Sequence, residues 1–220
     1  MMPSMKRFLP SPSRTGLFTT AILAAVLAGC TALAPLEDRT RFYTLTPAGD
    51  SGQLAAVVPP DSAFIGIRIT SVASHLRGAP IAVRSGEHEV RYEDDHRWAS
   101  RLDDAVGRAL AAGVQRSAGS RITVGVAPAL RSAVPDVLIE VDLLACEGRR
   151  GAEGSALLMA DWRVYQARED KPAASGRLRV EKPGWNGADF GQLAALLAAA
   201  LDDLAQAVGG PAVGIANESR

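Results

Sequence analysis

The chain has little with which to build a catalytic centre. Among its 220 residues there is no G-x-S-x-G nucleophile elbow, no G-x-x-x-x-G-K-[ST] phosphate loop and no Ser placed three residues before a Lys. H-E-x-x-H and paired C-x-x-C patterns are missing as well. Each of these spacings brings a nucleophile, a phosphate cradle or metal ligands onto one face of a turn or helix. Without them, no catalytic, cofactor-binding or metal-ligating residue is assigned, and the chain does not read as an enzyme. It also lacks an excess of positive charge, with 24 basic and 24 acidic residues. Nucleic-acid binding needs a basic face, so that class is excluded. No apolar run before residue 40 reaches the about 20 residues that a membrane-spanning helix requires.

What is present begins at the N-terminus. Lys6, Arg7 and Arg14 precede the apolar run "LFTTAILAAVLA" at 17–28, and no acidic residue occurs before Glu37. A basic leader, a short apolar core and small exit residues make a secretory signal peptide. The exit, Leu27-Ala28-Gly29-Cys30, is similar to the bacterial lipobox. That resemblance implies cleavage before Cys30 and acylation of its thiol and amine. Each buried methylene adds about 0.8 kcal/mol and one chain alone holds weakly, so several chains make a lasting anchor. Thr31, in place of Asp, implies sorting to the outer membrane. Removing 1–29 takes three basic residues and no acidic one, leaving 191 residues with a net charge of −3. Cys146 is then without a partner and reads as a small buried hydrophobe.

Residues 30–41, including "TALAPLEDRTR", have no period and form a lipidated tether. Residues 42–211 read as one domain. "FYTLTP" is a short strand. "FIGIRIT" is another, with Ile65, Ile67 and Ile69 on one face. "PIAVRSGEHEVRY" is a hairpin. In "EDDHRWASRLDDAVGRALAAGVQR", Trp98, Leu102, Val106, Leu110 and Val114 recur at helical spacing, with Asp94 or Asp95 as the cap. "RITVGVA", "DVLIEVDLLA", "SALLMADWRVYQA" and "GRLRVE" are strands. "DFGQLAALLAAALDDLAQAVGGP" is a second helix, capped by Asp189 with Gln192 and stopped at Gly209-Gly210-Pro211. Residues 212–220 carry no pattern and form a disordered tail. The expected fold is α+β, a mainly antiparallel sheet packed against two long amphipathic helices.

His88 and His96 with Glu93, Asp94 and Asp95 form the one polar concentration. They span a strand and a helix start, so their side chains diverge, and the acids suit a helix N-terminus. No metal site is assigned. His75 reads as a loop or surface residue. Trp98 stands out as either a structural anchor between helix and sheet or an exposed interface anchor.

A lipobox, a short tether, "FYTL", then a strand, a hairpin leading into "VRYEDDHRWASRLDDAVGRAL", and later "DVLIEVDLLACEG" follow one another in an order that resembles the ABC-type transport auxiliary lipoprotein family. The resemblance spans roughly residues 42–204. It implies a non-enzymatic subunit working with an MCE-domain protein and an ABC permease and ATPase in lipid transport between membranes. It implies docking at the outer membrane through lipidated Cys30, on the periplasmic face of the envelope, and allows a homo-oligomer. A periplasmic lipid-binding carrier is the alternative.

Overall fold

The computed structural model describes residues 37–45, 58–59, 61–126 and 129–218. The chain divides into two units between Arg39 and Thr40. Of the first, only 37–39 are described, where Arg39 pairs with Glu37 at 3.8 Å. All elements below belong to the second.

Eight strands form one sheet. They are β1 (Arg41–Tyr43), β2 (Ala63–Val72), β3 (Pro80–Arg84), β4 (Val90–Trp98), β5 (Ile122–Gly125), β6 (Val137–Arg149), β7 (Gly154–Gln166) and β8 (Ala174–Trp185). Three α-helices accompany them: α1 (Leu102–Ser117), the single turn α2 (Ala129–Ser132) and α3 (Phe190–Glu218). Strand β6 organises the sheet. Along one side it pairs with β7 over its whole length, and β7 pairs onward with β8. On the other side its first half takes β2 and its last two residues take β3. Strand β5 continues from β2, and β4 then β1 continue from β3.

Four pairings are parallel (β1–β4, β2–β5, β2–β6, β3–β6) and three antiparallel. The sheet is therefore mixed, not mainly antiparallel. The cause is topological. Between β2 and β5 the β3–β4 hairpin and α1 carry the chain back across the fold, and such a crossover delivers the next strand parallel. Alternating side chains report burial on one face, not strand direction.

The inward face follows the alternation read from the sequence. Ile65, Ile67, Val137, Ile139, Val141, Leu143, Ala156, Leu158, Ala160 and Val164 are buried in one core. From α1 come Leu102, Val106, Leu110 and Val114, and from α3 Leu193, Leu197, Leu201 and Leu204. Small residues let the two long helices touch. A Cβ on Gly113 would lie 2.5 Å from that of Ala205.

The helices differ from expectation in three ways. First, α1 begins at Leu102 with Arg101 as N-cap, and Asp94 and Asp95 lie inside β4. Parallel pairing of β1 with β4 (Arg41↔His96, Tyr43↔Trp98) extends that strand through Trp98, so a tertiary contact overrides the local period. Asp103 and Asp104 supply the acidic first turn instead. Second, α2 has no counterpart in the sequence reading. It sets Leu130 against Gly66, where a Cβ would sit only 2.4 Å away, so β2 needs glycine there. Third, α3 does not stop at Gly209-Gly210-Pro211 but runs to Glu218. Gly209 is buried close to Val114 and Ser117 of α1, and Ala212 and Ala216 continue the buried stripe. Packing on α1 outweighs the missing N–H of Pro211 and the flexibility of the two glycines. The expected disordered tail is thus helical as far as Glu218.

The start of α3 matches its reading. Asp189 Oδ1 accepts the Gln192 N–H at 3.0 Å, while Asn186 Oδ1 accepts the Asp189 N–H at 2.7 Å. Alone among the described helices, α3 is long and apolar enough to cross a membrane. Here half of its most apolar window is buried in the fold. Lys182 of β8 reaches Asp203 at 2.6 Å, and Arg116 of α1 pairs with Asp202.

Candidate docking surface

Two of the motifs singled out in the sequence meet at one junction. Tyr43, from "FYTL", donates its hydroxyl hydrogen bond with, or accepts one from, His96 Nδ1 at 2.8 Å. The His96 ring stacks on Phe190, the first residue of α3, with centroids 4.0 Å apart. Trp185, at the end of β8, meets Phe190 edge-on at 5.5 Å, and its Nε1–H donates to the Asp189 carbonyl at 2.9 Å. Gly148 leaves room for that indole, since a Cβ there would come within 2.6 Å of it. Beside this junction Trp98 is 5% exposed and belongs to the core. Its N–H donates to Ala79 and Ala99 donates to Tyr43, tying β1, β4 and the approach to β3 together. Trp98 is thus buried, on the last residue of a strand. His96 is engaged by Tyr43 and Phe190. Among the described residues no group of three His, Cys, Asp or Glu is gathered to hold a metal ion.

On the opposite face of the sheet, Glu147 is 0% exposed although charged. Arg84 of β3 reaches it through Nε at 2.6 Å, and His75 through Nε2 at 3.1 Å. His75 sits on a 3-10 turn, Ser74–Leu76, that closes over this carboxylate, so it is no free loop residue. The turn carries no sequence signal for the contact, because Glu147 lies 72 residues from His75 and 63 from Arg84 along the chain. Next to Glu147, Cys146 faces the core fully buried, and burial followed by the nearby carboxylate pushes its thiol up to about 12. At pH 8 it is then essentially all thiol. Iodoacetamide is expected to leave Cys146 unmodified in the native protein and to modify it after unfolding in denaturant. Native-state labelling at the rate of a free thiol would contradict this placement.

The rest of this face is a lattice of charges with no long helix over it. Arg68 of β2 reaches Glu140 of β6 at 3.4 Å. Arg163 of β7 reaches Asp142 at 2.8 Å, and Ser71 donates to the same carboxylate at 2.7 Å. Arg177 of β8 forms a bidentate pair with Asp161. Arg149, Arg179 and Ser155 converge on Glu181. Cross-strand pairs of this kind are screened by solvent, so they fix register and pattern more than stability. Burial pushes the Asp142 carboxyl up, but hydrogen bonds from Ser71, Thr70 and Arg163 outweigh it and hold it below its ordinary value. A depressed folded-state pKa adds stability above the unfolded value, and that stability is lost as pH falls through the folded one. Asp142→Asn should therefore lower the melting temperature at pH 7, and the gap to the parent should narrow as pH falls below the ordinary aspartate value of about 3.9. An unchanged gap at low pH would contradict the assignment.

Exposed aromatics mark the sheet margin at β1 and β4. Phe42 is 65% and Tyr92 49% exposed. Two clefts flank the domain. One, of ≈ 370 Å³, lies between the end of β2, Arg77 and the start of α1, and the other, of ≈ 510 Å³, between 150–154 and 184–187. Leu27, Ala28, Gly29 and Cys30 lie outside the described residues.

The family model described as ABC-type transport auxiliary lipoprotein component matches residues 43–209. No curated protein matches the chain. Among solved structures, a Xanthomonas campestris protein is similar at a TM-score of 0.61 and 16% identity, over 81% of this chain and 98% of that one. An uncharacterised protein is similar at 0.61 and 14% identity, over 78% and 97%. These likenesses concern the fold.

Proposed function

Because the chain belongs to the ABC-type transport auxiliary lipoprotein family, a family of lipid-anchored envelope components, we propose that it is a non-catalytic docking adaptor in an MCE and ABC-type system that moves lipid between membranes. Cys30 would carry the acyl anchor and hold the domain at the periplasmic face of the outer membrane. The family match across 43–209 carries this reading. The charge lattice on the sheet face that carries no long helix supports it. That face is wide, ordered and mixed in sign, which suits a specific protein contact more than an anionic polymer or bilayer.

The alternative, a carrier that holds an acyl chain between sheet and helices, meets an occupied interior. Leu193, Leu197, Leu201 and Leu204 are at most 1% exposed and share one core with Ile139, Val141 and Leu158. An acyl chain there would have to displace them. Native mass spectrometry of the purified protein separates the two readings. The adaptor is expected to carry no lipid beyond its covalent anchor, whereas a carrier would show added lipid. Replacing Cys30 by alanine is expected to abolish acyl labelling and release the protein from membranes. Retention in the membrane fraction would contradict the anchor.

A further inference from the structure

Strand β8 leaves a long edge of the sheet open. It spans 12 residues, Ala174–Trp185, and among the described strands it pairs only with β7. The register runs unbroken from Ser155↔Pro183 to Val164↔Ala174, and its one irregularity, between Gly154 and Ser155, falls at the end of the strand. Sheet edges are commonly guarded by shortness, bulges, proline or inward-pointing charge, and here Pro183 and that irregularity guard only the last residues of β8. The inward-pointing lysine of β8, Lys182, is drawn back onto Asp203 of α3 at 2.6 Å. An apolar strip follows the same margin on the helix-bearing face. Trp162, Ala174, Leu178, Val180 and Leu196 pack on the core yet stay only partly buried. On the other face the row Arg177, Arg179, Glu181 is basic towards one end and acidic at the other, and exposed throughout.

We infer that this edge is the interface of a homodimer, with β8 pairing antiparallel to β8 of a second copy about a two-fold axis perpendicular to the sheet. Such an axis keeps the helix-bearing faces of both copies on the same side, as an isologous contact requires. The apolar strips then meet beside the two α3 helices, and the charged rows meet on the opposite face. With the axis at Val180, that residue opposes the partner's Val180, and Arg179 opposes the partner's Glu181 on both sides of the axis. An axis at Arg179 would set two arginines directly opposite, which cross-strand pairing disfavours. Parallel pairing would place like charge against like. A second copy is thus an occupant that matches the edge in hydrogen bonding, apolar strip and order of charge.

The test uses the full lipoprotein purified in detergent, read by native mass spectrometry and by crosslinking. The wild-type chain is expected at twice its chain mass. Val180→Lys places like charges at the axis and should reduce the dimer fraction at least tenfold, with a cooperative melt showing that the fold is kept. Val180→Cys should be joined to a second copy by a short bismaleimide, whereas Phe42→Cys, on the margin formed by β1, should not. The inference is overturned by a monomer throughout the accessible concentration range, or by a dimer indifferent to Val180→Lys. It is equally overturned if Val180→Cys crosslinks in cells to a different polypeptide instead of a second copy.

Discussion

Replacing Arg84 by alanine is expected to cost about 3–5 kcal/mol, the range found when one partner of a buried ion pair is removed. The reason is Glu147, which is 0% exposed and has Arg84 at 2.6 Å as its closest cationic neighbour. His75 at 3.1 Å is a second partner, itself partly exposed, and cannot supply the two-pronged contact of a guanidinium. For a domain of this size the loss corresponds to a fall in melting temperature of roughly 6–20 °C. The double variant Arg84→Met, Glu147→Leu should recover most of it, because the cost lies in an uncompensated charge and not in a missing contact. Thermal denaturation of the three proteins decides. A loss under about 1 kcal/mol in Arg84→Ala would show that water reaches Glu147.

Truncating Trp98 to alanine should be of similar size, about 3–5 kcal/mol, as for other large aromatic side chains in cores. Trp98 ends β4, is 5% exposed and pairs with Tyr43 of β1. Its loss opens a cavity beside the β1–β4 pairing, so the short β1 should loosen before the rest of the sheet. Hydrogen exchange is expected to rise first at Ala99, whose N–H is held by the Tyr43 carbonyl. An unchanged melting temperature would mean that Trp98 is a surface anchor after all.

The strands were legible because their alternation is local. From Val137 to Leu143 in β6 and from Leu158 to Val164 in β7 the buried residues are those that period two picks out, with Trp162 only partly covered because β7 lies next to the edge strand. Strand direction was not legible, since nothing within "FIGIRIT" encodes that both its neighbours run parallel to it. The "HRW" segment carries an apolar residue at helical spacing yet lies in a strand, because β1 pairs with it from more than 50 residues away. Gly209-Gly210-Pro211 reads as a stop, and only the contact of Gly209 with Val114 and Ser117 shows why the helix goes on. The stripe through Ala212 and Ala216 was the available signal. Of the candidate site, Trp98 was visible as a large apolar residue at a junction. The Glu147, Arg84 and His75 cluster was not, because it forms only when β3, β6 and the turn after β2 come together.

The central claim is that the sheet face without a long helix docks an MCE-domain partner at the outer membrane. Met159 of β7 points out from that face, opposite Ala145 of β6 and Arg179 of β8. A photo-crosslinking residue at position 159 in living cells, with a control at exposed Ala199 on α3, tests the claim most directly. The account predicts a crosslink from position 159 to an MCE-domain protein, identified by mass spectrometry, and none to it from position 199. A crosslink to an MCE-domain protein from position 199 alone, or to an unrelated envelope protein from position 159, would contradict it.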